Sequence, residues 1–133
     1  MKVSEPKLLL IHMRPEKVQQ IRLFSGDRNL SFRAVPVNRG DETVPLGILA
    51  GAENWMNREL MKNMPESVPL TEEMLIICGF EDKKMDLLLR KLRQSRLSVS
   101  LKAVLTEQNS VWTPEQLFGE LKAERSYMMS RKH

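Results

Sequence analysis

A chain of 133 residues is long enough to bury one core and too short for two of ordinary size, and its 41% hydrophobic and 29% charged residues lie far from the composition of a disordered chain. Cys78 is the only cysteine, which excludes an intramolecular disulfide and the clustered thiolates of zinc ribbons or iron–sulfur sites and points to a reducing compartment. A net charge of +4, from 21 basic and 17 acidic residues, permits an acidic partner without demanding one, and no apolar run approaches the roughly twenty residues of a membrane span.

The first element is a short continuous apolar run, Lys7 to His12, the form a strand takes when both faces of its sheet are covered. The run is also too short for the core of a secretion signal, so a cytoplasmic protein is expected. Pro15 suits a helix start, and Val18, Ile21 and Phe24 recur at helical spacing until Gly26-Asp27. Leu30 to Val35 alternates as a second strand, closed by Pro36, which cannot donate to a ladder. Pro45 opens a second helix with Leu46, Leu49 and Ala52 on one face, weakened by Gly47 and Gly51.

The stretch 53–73 is long for a connection and holds Pro65 and Pro69. It reads either as a short helix from Asn54 to Lys62 or as a mobile loop. Met74 to Cys78 is a buried-type third strand broken by Gly79, and Met85, Leu88, Leu89 and Leu92 form the clearest amphipathic stripe of the chain. Val99 to Leu105 is a fourth strand. Thr113-Pro114-Glu115-Gln116 combines an N-cap threonine, a proline at the first helical position and a glutamine placed for a capping box, and the helix it opens turns Leu117, Phe118, Leu121 and Met128 inward. Residues 127–133 read as a frayed basic tail.

Strand and helix thus alternate through one domain spanning 1–133. The expected fold is a three-layer α/β/α sandwich on a four-stranded, mainly parallel sheet, with strand order 2-1-3-4. Val99-Ser100-Leu101-Lys102-Ala103-Val104-Leu105-Thr106, Asn109, Trp112-Thr113, Leu117, Glu120 and Leu121, with Met74 to Ile77 and Gly79-Phe80, resemble the small bacterial family described as domain of unknown function 3783. The resemblance spreads over most of the chain and is most specific from Met74 onward. It implies a stand-alone protein of this size and no particular activity, substrate or catalytic residue.

Enzyme signatures are absent. Met13-Arg14-Pro15 follows the first strand where a nucleotide binder needs a glycine-rich turn, no acidic pair follows that strand, and no nucleophile elbow or HExxH helix occurs. If the first and third strands are neighbours at the topological switch point, their carboxyl ends bring His12 and Cys78 to one crevice. Arg14 and Lys102 then supply positive charge, and Gly79 gives backbone access to an anion. The more common reading of such residues is that Cys78 is a small buried hydrophobe and His12 a hydrogen-bonded strand end. Lys102, inside an apolar strand, is either an ion-pair partner or an anion contact.

The third helix carries Lys83, Lys84, Arg90, Lys91, Arg93 and Arg96, a basic surface that reads as a solvated face or a docking face. Aromatic residues are only 5% of the chain and are not interleaved with these cations, so base stacking has no support. Trp55, Met56, Leu60, Met61 and Met64 form either an adaptable partner surface or a satellite cluster, and Trp112 reads as the staple of the last helix. The function expected is a binding or protein-interaction module without cofactor or metal, its partner a protein or a small anionic ligand. A small enzyme or phosphate-handling protein using the strand-end crevice is the alternative, and nucleic-acid contact through the third helix is the third reading.

Overall fold

The computed structural model describes residues 1–130; of the expected basic tail, Arg131, Lys132 and His133 lie outside the described residues. Four strands, β1 (Lys7–Ile11), β2 (Arg33–Val37), β3 (Met74–Cys78) and β4 (Leu101–Val104), form one sheet in the order β2-β1-β3-β4. Four helices accompany them: α1 (Pro15–Leu23), α2 (Leu46–Leu49), α3 (Asp82–Gln94) and α4 (Pro114–Ser130).

Side chains alternate across β1 and β3, so both faces of the sheet are apolar. Leu8, Leu10, Leu75 and Ile77 meet Val18 and Ile21 of α1 and Leu88 and Leu92 of α3 on one face. On the other, Leu9, Ile11, Met74, Ile76 and Cys78 meet Leu46 of α2 and Leu117 and Phe118 of α4. Helices on both faces explain why the two central strands read as unbroken apolar runs. The two outer strands differ, each for a local reason. β2 runs through Pro36 instead of stopping before it: Arg33 donates its N–H inward to the Pro6 carbonyl, so the alternation of the strand turns the Pro36 nitrogen to the open edge, where no donor is required. At the other edge the Asn109 side chain donates to the Val104 carbonyl at 3.0 Å and blunts the end of β4.

The sheet is mixed. β1 is parallel to β2 and β3 to β4, but β1 and β3 are antiparallel, with Lys7 opposite Cys78 and Ile11 opposite Met74. The cause is the segment after α2. A single return across the sheet would make β3 parallel to β1; here α2 makes that return, bringing the Ala50 carbonyl to Lys7 Nζ at 2.8 Å and Glu53 into a bridge with Lys2. Residues 54–73 then cross the sheet a second time, reaching the Glu115 carbonyl through Val68 N–H, and deliver the chain to β3 from the opposite end.

That second crossing contains neither a helix from Asn54 to Lys62 nor a strand; Asn57 Oδ1 instead accepts from Glu59 and Leu60 N–H in a local turn. Two glycines hold it. A Cβ on Gly47 of α2 would lie 2.3 Å from Trp55 Cβ, and one on Gly119 of α4 would lie 3.2 Å from the Glu66 carbonyl oxygen. α4 begins with the expected capping box, Gln116 N–H to Thr113 Oγ1 at 3.2 Å and Thr113 N–H to Gln116 Oε1 at 2.9 Å. Trp112 joins the apolar cluster that contains Leu117, as a staple residue does. The helix continues to Ser130 past the sheet, which leaves Met128 exposed instead of inward-facing.

Candidate binding site

The antiparallel β1–β3 pair overturns the expected crevice. His12 and Arg14 lie at one end of the sheet, and Cys78 and Gly79 at the other, about 16 Å away at the rise of an extended strand. Cys78 is fully buried among the apolar side chains under α4, its thiol against the Ile76 carbonyl at 3.7 Å. Burial pushes that thiol up to about 12, and the charge of Lys7 offsets this only in part, so the group is protonated and inert at neutral pH. Gly79 takes a left-handed turn against Val3, whose side chain would be 3.0 Å from an added Cβ, so the position serves a close approach of chain segments. His12, also left-handed at φ 55°, is exposed on a cleft with Arg14.

Lys102 is the expected site residue with the most telling surroundings. It stands on edge strand β4, on the side of the sheet that α3 covers only in part, and makes no ion pair among the described residues; its Nζ donates to the Val99 carbonyl oxygen at 3.5 Å. Between β4 and the end of α3 lies a groove of about 480 Å³. Leu89, Leu92, Leu97 and Val99 contribute its apolar surface, and Arg93, Arg96 and Lys102 its positive charge. The amphipathic stripe of α3 builds this wall: Leu88 turns wholly into the core, while Leu89, one position on, is half-buried and reaches the groove.

The end of α3 fixes Arg96. Leu97 N–H donates to the Leu92 carbonyl and Arg96 N–H to the Arg93 carbonyl, the paired bonds of a Schellman motif. Its left-handed position belongs most readily to glycine, yet Arg96 occupies it at φ 57°, at a cost of about 1–2 kcal/mol. A second depression, lined by Arg14, Lys17 and Gln20, shares Arg96, Leu97 and Ser98 with the groove and extends it toward α1.

Some cations elsewhere are spent on structure. Lys17 bonds Glu73 and the Ser98 carbonyl, Lys91 pairs with Asp27 at 3.1 Å, and Arg125 holds Glu72 through two bonds of 2.9 and 2.7 Å. Arg93 and Arg96 have no hydrogen-bonding or ionic side-chain partner among the described residues. Among those residues no three His, Cys, Asp or Glu side chains gather to hold a metal ion, and no helix is long and apolar enough to cross a membrane.

The part of the chain that builds this groove matches a known family. Residues 73–128 match the model of the family described as domain of unknown function 3783. The match runs from the residue before β3 nearly to the end of α4, and so contains α3, β4 and every residue of the groove. Neither a curated protein nor a solved structure matches the chain. β1, α1, β2 and the second crossing lie outside the family match, although β1 and β3 share the centre of the sheet.

The sequence had marked Lys102 and the basic residues of α3 separately. What it lacked was their joint position beside Leu97 and Val99, because residues on a helix and on the strand after it meet only through the intervening turn. Of the apolar surface proposed as a partner site, Trp55 is half-buried against α2 while Met56 and Met64 are exposed.

Proposed function

We propose that the protein is a binding module, acting as one α/β domain, whose groove between α3 and β4 takes an acidic segment of a partner protein bearing apolar side chains beside its carboxylates. The observation that carries this reading is the set of three cations, Arg93, Arg96 and Lys102, without carboxylate partners among the described residues, around an apolar floor. Leu89, Leu92, Leu97 and Val99 favour apolar side chains by burial, and the cations supply charge complementarity and speed encounter. Docking through side chains is favoured over addition of a strand, because β4 has only four residues and the Val104 carbonyl already accepts from Asn109. A nucleic acid fits less well, since no aromatic ring lines the groove to stack a base.

A bacterial cytoplasm is the setting we assign. A single free, buried Cys78 supports a reducing compartment.

The test uses a fluorescein-labelled peptide of leucine and glutamate spaced as an amphipathic helix, followed by polarisation. Binding should weaken as salt rises and fall at least tenfold when Arg93→Glu and Lys102→Glu are combined. Arg96→Gly should weaken binding while raising the melting temperature, because glycine relieves the left-handed position. Equal binding of a peptide with glutamine in place of glutamate refutes the reading. Tighter binding of a labelled oligo-dT would move the function to nucleic acid.

A further inference from the structure

A separate cleft opens at the carboxyl ends of the parallel pair β1 and β2, enclosed by the loop after β2, the end of the second crossing and the first turn of α4. Its volume is about 480 Å³, within the range of roughly 300–1,000 Å³ common for small-molecule sites. Unlike the groove at β4, it carries both signs of charge. Arg14 and Arg39 face it from the ends of the two strands, and Glu42 and Glu115 from the following turn and from α4. Met13 and Leu70 add apolar surface between them.

The four charged groups do not neutralise one another. The guanidinium groups of Arg14 and Arg39 and the Glu115 carboxylate make no hydrogen bond or ion pair among the described residues, and Glu42 Oε2 accepts only the Gly40 N–H at 2.6 Å. Glu115 is half-buried, and no cation among the described residues pairs with it. Two arginines and two carboxylates held in one cleft without pairing present complementary charge to a ligand with a carboxylate at one end and an ammonium at the other.

We infer that this cleft binds a zwitterionic small molecule of the amino-acid class with an apolar side chain, its carboxylate at Arg14 and Arg39, its ammonium at Glu115 and Glu42, and its side chain against Met13 and Leu70. A ligand with one charge would satisfy half of the cleft and leave the other half bare. The site shares Arg14 with the depression that extends the groove at β4 but none of the residues that line the groove itself, and it does not depend on the function proposed for that groove.

Titration calorimetry of the full chain with L-leucine, 4-methylpentanoate and 3-methylbutylamine tests the assignment, since the last two keep the side chain and one charge each. L-leucine should bind at millimolar concentration or below and at least tenfold more tightly than either analogue. Arg39→Ala and Glu115→Gln, read beside their melting temperatures, should each weaken L-leucine binding at least fivefold. Glu115→Gln should narrow the gap between L-leucine and 4-methylpentanoate, an effect that a merely structural role would not produce. Absence of leucine binding, equal binding of the three compounds, or unchanged binding by both folded variants overturns the proposal.

Discussion

Replacing Gly47 by alanine should destabilise the protein, although alanine is the better helix former. The added Cβ would sit 2.3 Å from Trp55 Cβ and 2.7 Å from its Cγ, with the Ser110 carbonyl oxygen 3.1 Å away. Carbon atoms are comfortable at roughly 3.5–4.0 Å, so the neighbour must yield by more than about 1 Å. A Cβ cannot swing away as a side-chain end can; relief requires the backbone at Trp55 to move. Ser110 Oγ restrains that backbone by donating to the Trp55 carbonyl at 3.2 Å.

Overpacking of this kind costs about 1–3 kcal/mol, and the gain in helix propensity over glycine, at most about 1 kcal/mol, is diluted in a helix of only four residues. A net loss of about 1–2 kcal/mol follows, or roughly 3–10 °C in melting temperature for a chain of this size. Calorimetry of Gly47→Ala beside Gly26→Ala makes the comparison, since an added Cβ at Gly26 meets nothing within 4 Å and should change stability by less than about 0.5 kcal/mol. In a Trp55→Gly background the cost of Gly47→Ala should largely vanish. If Gly47→Ala melts at or above the parent, the second crossing is not clamped at this glycine.

Further outcomes follow from two titratable groups. The Cys78 thiol should resist a disulfide reagent at pH 8 until denaturant is added. Its raised pKa also predicts a loss of stability as pH climbs from the unfolded value near 9 toward about 12, because the unfolded chain releases that proton first. Chemical denaturation of Cys78→Ala should show a flatter decline over that window. At the other end of the scale, bonds from Arg125, outweighing partial desolvation, hold Glu72 below its ordinary value. Its contribution is therefore present above the unfolded carboxylate pKa near 4.3 and lost as pH falls through the lower folded value, so Arg125→Ala should reduce the acid sensitivity of unfolding, and an unchanged profile would refute the coupling.

The elements buried on both faces were legible from the residues alone. Leu8 to Ile11 and Met74 to Cys78 announce central strands because every position must be apolar there, and Leu88 and Leu92 mark the core side of α3 because helical period and burial agree. The capping box at Thr113 and Gln116 was legible too, since its bonds close within one turn. Strand direction was not, and it decided which residues could share a site. Whether Cys78 meets His12 or Lys7 depends on how many times the chain crosses the sheet between β2 and β3, and the second crossing is made by residues 54–73, which have no helical or strand period to read. It is held by Trp55 against Gly47 and by the Glu66–Val68 stretch against Gly119, contacts between residues far apart in the chain. The same holds for the cleft at the ends of β1 and β2: Arg14, Arg39 and Glu115 lie on three separate segments, and only tertiary packing sets two arginines and an unpaired carboxylate around one space.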